Sequence, residues 1–361
     1  MANTDMTAFD AMLKEHLAEN FQKLAFMDNP ATARLKKDNK KMSDVGGTYW
    51  REPVHYALGA GGSSKFSVAA AHAATNDGYE DWKVTRTRHY RVPKIDNEVI
   101  MASIDNSDAF DRALVNIDNH VKAEGNYLNF RFYRDFGGSI GTISAIATTL
   151  LTFTDKASVW GLTTNDIIEI SATDGKTGAI RTGSCTVASV QRQTGTATMT
   201  GNVTAGVAAA IVGDYVFLKG DHATQHGINS AAGLADWVPD AAPGATAFFG
   251  VARTLDDRLG GYRVTHSAGT TVANMLIDQV QVLDSVGRSP TVAFLHTDHR
   301  ATLTKEAEGK WIIDKGMGYG GRELSIGFKG FQVNLGGNDV TLVFDPMCPT
   351  KRIYMGNMAG S

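Results

Sequence analysis

SDAFDRALVNIDNHVKAEGNYLNFRFYRDFGG, residues 107–138, decides the fold. Phe110, Leu114, Ile117, Val121 and Leu128 recur at steps of three, four and seven, which places them on one side of an α-helix. Ser107 suits the N-cap and Gly137 with Gly138 supplies a stop, so the spacing predicts one helix from Ser107 to about Phe136. At 1.5 Å per residue, about thirty residues make a rod of roughly 45 Å, longer than a compact domain of this size is wide. A rod with one apolar stripe has to lie across something flat and extended. Near its end Leu128, Phe132 and Phe136 share a face and read as core packing, with Arg131 and Arg134 directed to solvent.

On the N-terminal side, Phe9, Leu13, Leu17, Phe21 and Leu24 have helical spacing, and Asn29 with Pro30 ends the run. RLKKDNKKMSDVGG follows as a polar, Gly-terminated linker, so the first helix reads as an arm on a tether. From Tyr49 the chain reads as extended: TYWREPVHYAL leads into GAGGSS (Gly59 to Ser64), and WKVTRTRHYRV (Trp82 to Val92) reads as a strand of about eleven residues carrying Arg86, Arg88 and Arg91. Charge along so long a strand argues against a closed core and for a projecting hairpin, a finger that needs another surface to lie on.

On the C-terminal side, residues 155–221 turn rich in Thr, Gly, Ala, Val and Ser. DIIEI, CTVASV, TATMT and DYVFLK read as strands separated by DGKTG, QTG and GN turns, which predicts a small barrel or sandwich. Afterwards TTVANMLIDQVQVLDSVG reads as an amphipathic helix, and TVAFL, FKGFQVNL and DVTLVF as strands, so the fold class is α+β with the β-rich segment interrupting a mixed body.

The 361 residues are 43% hydrophobic and 20% charged, which fits a soluble globular chain with real cores, and the net charge of −3 disfavours a broad cationic nucleic-acid surface. RLKKDNKK is the one basic run, and it reads as solvated linker. Cys185 and Cys348 lie far apart, without metal-ligand spacing, and read as reduced intracellular thiols. With no signal peptide visible and no apolar run of spanning length, the expectation is a soluble protein made in the cytoplasm.

Catalytic signals are thin. In LHTDHRATLTKEAE, His296, Asp298 and His299 stand together, but Asp298 or Thr297 fits the N-cap of the helix that follows, and the two imidazoles need not converge on one ion. GAGGSSK lacks the spacing of a phosphate-binding loop, since Phe66 follows Lys65, and DGKTG reads as a hairpin turn. No Ser/His/Asp, Cys/His or paired-carboxylate set stands out, so the sequence does not call for an enzyme, a cofactor or a metal. Two alternatives remain open: a metal-dependent hydrolase centred on His296, Asp298 and His299, and a glycan-binding adhesive protein built on the β-rich segment.

WKVTRTRHYRVPKIDNEVIMAS, DAFDRALVNIDNHVKAEGNYLNFRFYRDFGGSIGTIS, FFGVARTLDDRLGGYRV and FKGFQVNLGGNDVTLVFDPMCPTKRIYMGNM, taken in that order, resemble the major capsid proteins of tailed bacteriophages over most of residues 45–358. The resemblance implies the Hong Kong 97-like capsid fold. Residues 1–44 correspond to the N-terminal arm and 45–95 to the extended loop. Residues 96–138 resemble the peripheral domain with its spine helix, 139–154 and 223–335 the axial domain, 155–222 an insertion domain, and 336–361 the return to the peripheral domain. Family members generally continue for a few dozen residues past the MGNMAGS at which this sequence stops.

The implied function is a structural subunit of an icosahedral head, assembling into hexamers and pentamers around double-stranded DNA. The implied location is the virion capsid, assembled in the host cytoplasm. The partners implied are copies of the chain itself, a portal, a scaffold, a decoration protein as an option, and DNA held by weak non-specific contact, with no membrane. Trp50, Tyr56, Phe66, Trp82, Arg86, Arg88 and Arg91 are the expected contact residues of the extended loop, and Phe9, Leu13, Leu17, Phe21 and Leu24 those of the arm.

Overall fold

The computed structural model describes residues 29–32, 49–58, 62–72, 78–85, 87–92, 107–227, 230–307, 331–335 and 338–357, with backbone alone for 72, 107–118, 307, 331–335, 338 and 339. The arm helix, its linker, Gly59 to Gly61 and Arg86 lie outside the described residues. The chain divides into two compact units, Met1–Asp28 with Pro93–Asn126, and Asn29–Val92 with Tyr127–Ser361. The architecture mixes α and β.

Strands β1 (Tyr49–Ala57) and β2 (Gly78–Thr85) form an antiparallel two-stranded sheet, and the connection between them carries helix α1 (Phe66–His72). The strand expected from Trp82 to Val92 therefore starts earlier and ends at Thr85, and Thr87 to Val92 run on without strand pairing. Lys83 donates its backbone N–H to Phe249 O at 2.7 Å, so its amide points away from β1, and the paired Arg51 does the same. Two residues along, Pro53 opposite Asp81 falls on the same outward-pointing set, the place in a strand where a missing N–H breaks no ladder bond.

Helix α2 (Ser107–Phe132) is about 39 Å long and stops a turn before the expected end. Tyr133 and Arg134 bond back three residues, to Phe130 O and Arg131 O, tightening the last turn, and Gly138 then takes φ +95 as the chain reverses. Of the expected stripe, the side chains of Phe110, Leu114 and Ile117 lie outside the described residues; Val121 and Leu128 are 65% and 50% exposed, while Tyr127, Asn129, Phe130 and Arg131 are buried. Arg131, expected in solvent, is enclosed because the reversing chain brings Asp135 O and Ser139 O to its guanidinium. A cation at a helix C-terminus also meets the negative end of the helix dipole. Arg134, likewise expected outside, lies over the Phe130 ring at 4.5 Å, and burial pushes its pKa down to about 10.

After the reversal come β3 (Gly141–Ala147), β4 (Leu150–Phe153), β5 (Ile167–Ser171), β6 (Cys185–Gln191), β7 (Thr196–Met199) and β8 (Tyr215–Leu218). They close into a barrel in the order β3-β4-β7-β6-β5-β8. Four of these strands are the runs read between residues 155 and 221; closure also takes in β3 and β4, which precede them. Ile143, Leu151, Ile168, Ile170, Val187 and Val216 fill the interior, the apolar half of each alternation.

The barrel's DGKTG turn is tied to the reversal. Lys176 Nζ stands 2.9 Å from Asp236 and 3.8 Å from both Asp135 and Asp174, with the Phe136 ring beneath at 5.1 Å. Burial raises the pKa of both Asp135 and Asp236, whereas Lys176 is held charged because Asp135 and Asp236 outweigh its own desolvation. Lys176→Met leaves the carboxylates without their counter-charge, and the expected loss is about 2 kcal/mol at pH 7, less than for a fully buried pair because solvent reaches the Lys176 side chain. Acids whose folded pKa is raised contribute stability below their unfolded value, and that contribution is lost as pH climbs through the folded value. The variant's deficit should therefore shrink on acidification toward pH 4.5, as read from denaturant midpoints at the two pH values; an equal deficit at both would contradict this account.

The last body element is a four-stranded mixed sheet of β9 (Val292–Leu295), β10 (Phe331–Leu335), β11 (Asn338–Phe344) and β12 (Tyr354–Gly356), in the order β10-β11-β9-β12 with β11 and β9 parallel. All four residues of β9 are buried, as a strand covered on both faces requires. Ala293 and Leu295 face the cluster built with Leu276 and Val280 of α3 (Val272–Ser285) and Leu303 of α4 (Asp298–Ala307), while Val292 and Phe294 join the core shared with Phe130, Tyr133 and the barrel. Thr271 caps α3 by accepting from the Asn274 N–H.

Candidate functional site

Two-residue alternation sorts the β1–β2 hairpin into two faces. Trp50, Glu52, Val54, Glu80, Trp82 and Val84 share one, by their pairing of Trp50 with Val84, Glu52 with Trp82 and Val54 with Glu80. This face lies on the chain's own aromatic cluster. The Trp82 ring is 5.3 Å from Trp237 and 6.0 Å from Phe248, both edge to face, with Val54, Val84, Phe249 and Leu259 around them. Trp82, expected to meet a neighbouring subunit, is instead 8% exposed and belongs to the fold itself. Its burial depends on residues more than 150 positions downstream, which strand periodicity cannot reveal. Arg258 adds a second tether by donating from Nη2 to Tyr56 O at 2.7 Å.

The segment that receives the hairpin is itself sharply folded. Phe248 and Val251 exchange backbone hydrogen bonds of 2.9 and 3.0 Å, and the two residues between them, Phe249 and Gly250, have φ of +46 and +91. Those angles make a tight hairpin turn that suits Gly250 and strains Phe249. Phe136, Phe248 and Phe249 wall a cavity of about 140 Å³ beside this turn, and Thr85, Thr87 and Ser230 rim it.

The opposite face carries Tyr49, Arg51, His55, Tyr79, Asp81 and Lys83, with His55 stacked on Tyr79 at 4.4 Å and Arg51 3.7 Å from Asp81. Toward the connection the apolar exposure rises: Leu58 is 82% exposed and Phe66 86%. Of the other expected contact residues, Trp50, Tyr56 and Arg91 are half-buried and Arg88 is exposed. Leu58, Tyr79, Tyr90 and Val92, outside the expected contact set, are all strongly exposed. Alternation from Trp82 would have placed Tyr79 on the outward face.

The HTDHR turn is built as a strand-to-helix corner. His296 is buried and its Nδ1 accepts the Asp298 backbone N–H at 3.1 Å, so the imidazole works as a cap at the start of α4. Burial lowers its pKa and favours the neutral ring that this bond needs. Asp298 pairs with Lys156, and His299 Nε2 meets Thr350 O at 2.9 Å. Among the described residues no group of three or more His, Cys, Asp or Glu side chains is placed to hold a metal ion, and no helix is long and apolar enough to cross a membrane. No protein-family model matches the chain, and no curated protein matches it.

Proposed function

We propose that this chain is a structural subunit of a tailed-phage head with the Hong Kong 97-like fold, which builds an icosahedral shell from rings of itself. The observation that carries the reading is the hairpin: one face is fixed to the chain's own aromatic cluster, while its connection holds out Leu58 and Phe66 almost bare. A rigid base with an apolar end is suited to docking on a second molecule, since fully covering a Phe or Leu side chain contributes about 1.5–3 kcal/mol. The long α2, with Val121 and Leu128 uncovered on one side, adds a further surface of the same kind. A β-rich barrel between α2 and the mixed sheet supports the reading, although it takes in β3 and β4 from outside the expected insertion 155–222, and the sheet joins β9 to β11 and β12 across the expected boundary at 335–336.

Negative-stain microscopy of the purified chain tests this directly: shells or rings are the expected result, and a monomer at high concentration defeats the proposal. A second test follows from the position of Trp82. Replacing residues 59–77 by Asn-Gly keeps Trp82 and both strands while removing Phe66. The shortened chain is expected to fold with an unchanged melting temperature, its circular dichroism altered only by the loss of α1, and to form no closed particles; particles of normal size would contradict the role given to the connection.

A further inference from the structure

We infer that the cavity walled by Phe136, Phe248 and Phe249 is a socket for the Phe66 ring of a second copy of this chain. The inference rests on the shell-subunit reading and adds to it a specific pair of mating parts.

Size is the first argument. The cavity measures about 140 Å³. An engineered cavity of about 150 Å³ lined by apolar side chains binds benzene, so this one accommodates a single six-membered ring. Three aromatic walls favour an aromatic guest through edge and offset contacts. Phe66 is the most exposed of the large hydrophobic side chains among the described residues, at 86%, so it has no cover of its own.

The second argument is placement. The connection carrying Phe66 leaves β1 at Ala57 and rejoins at Gly78, whereas the socket's rim includes Thr85, at the other end of β2. Seven residues of paired strand separate Gly78 from Thr85 by roughly 23 Å. Phe66 is not among the residues lining its own chain's cavity. Knob and socket thus sit at opposite ends of one hairpin, so each contact joins different patches of the two copies, as in head-to-tail pairing. Contacts of that type generate closed rings when the rotation between copies closes. The tight turn at Phe249 and Gly250, with Lys83 N–H bonded to Phe249 O, holds the wall in place before any guest arrives.

The test uses the full-length chain in four forms. Phe66→Ala removes the knob, and Ala247→Trp, at an exposed position on the socket's edge, fills the opening. Each is expected to raise the concentration needed for assembly at least about tenfold with an unchanged melting profile. A mixture of the two retains one intact knob and one intact socket, and is expected to give two-chain species and no rings in native mass spectrometry. The double variant Ser67→Cys with Thr87→Cys, which keeps the Phe66 ring, should form an intermolecular disulfide ladder on a non-reducing gel, free of interference because Cys185 and Cys348 are buried.

Wild-type shells together with full assembly by Phe66→Ala, or a double-cysteine chain that yields no intermolecular disulfide, overturn the socket while leaving the shell reading intact. A wild-type chain that stays monomeric overturns both.

Discussion

Trp82→Ala is expected to destabilise the chain by about 3–5 kcal/mol, the range for deleting a large buried aromatic side chain. The indole is 8% exposed and makes edge contacts with Trp237 and Phe248, each worth roughly 0.5–1.5 kcal/mol beyond its buried area. The loss has a specific location. Without Trp82 the hairpin loses its largest side chain in the cluster and is left with the smaller Val54 and Val84 and the Lys83 and Arg258 hydrogen bonds, and a two-stranded sheet is marginal alone in water. Limited proteolysis should therefore cut within residues 49–85 before the variant's global unfolding midpoint is reached. A midpoint shift equivalent to less than about 1 kcal/mol, or unchanged protease resistance, would show that Trp82 does not anchor the hairpin.

Asp345 carries the second large effect. Its carboxylate, fully buried, accepts from Asn129 Nδ2 at 2.8 Å, the Tyr133 hydroxyl at 3.0 Å and the Met347 N–H at 2.9 Å. Asn129 in turn accepts from the Thr32 N–H, so this one side chain joins α2, the end of β11 and the segment at Asn29–Thr32. Asp345→Ala strands three buried donors and is expected to cost about 3–5 kcal/mol.

Asp345→Asn keeps the shape and part of the bonding, and its penalty should depend on pH. Burial raises the carboxyl's pKa above its ordinary value, so the acid contributes stability at low pH that is lost as pH rises through the folded value. Asparagine does not titrate. The gap between the parent chain and Asp345→Asn is therefore expected to narrow from pH 3 to pH 7 in urea titrations, and a gap that widens would reverse the assignment.

What the sequence discloses divides along physical lines. Strands β5 to β8 and helix α3 were readable because their determinants are local: alternation between glycine-bearing turns, and a Thr cap before an apolar stripe. The HTDHR corner was readable as a turn for the same reason, although the cap is the His296 ring and not the Asp298 or Thr297 side chain. Arg131 was misread because a charge on a helix is ordinarily solvated, and only the reversal after Phe132 brings two carbonyls to it. Leu128 was misread in the opposite sense, since at this end of α2 the fold buries Tyr127, Asn129, Phe130 and Arg131 instead. Of the candidate contact surface, the existence of the hairpin was legible. Its division into an anchored side and a bare end was not, because Phe248 and Trp237 decide which side is which.

Pro53 has a bearing on what the outer edge of β1 can join. A ribbon with a bare outer edge invites the next chain to zip on strand by strand, and a product made at high local concentration would run into fibres that never close. By deleting one amide from the row that Arg51 and His55 would otherwise continue, proline spoils that template without disturbing the inner ladder.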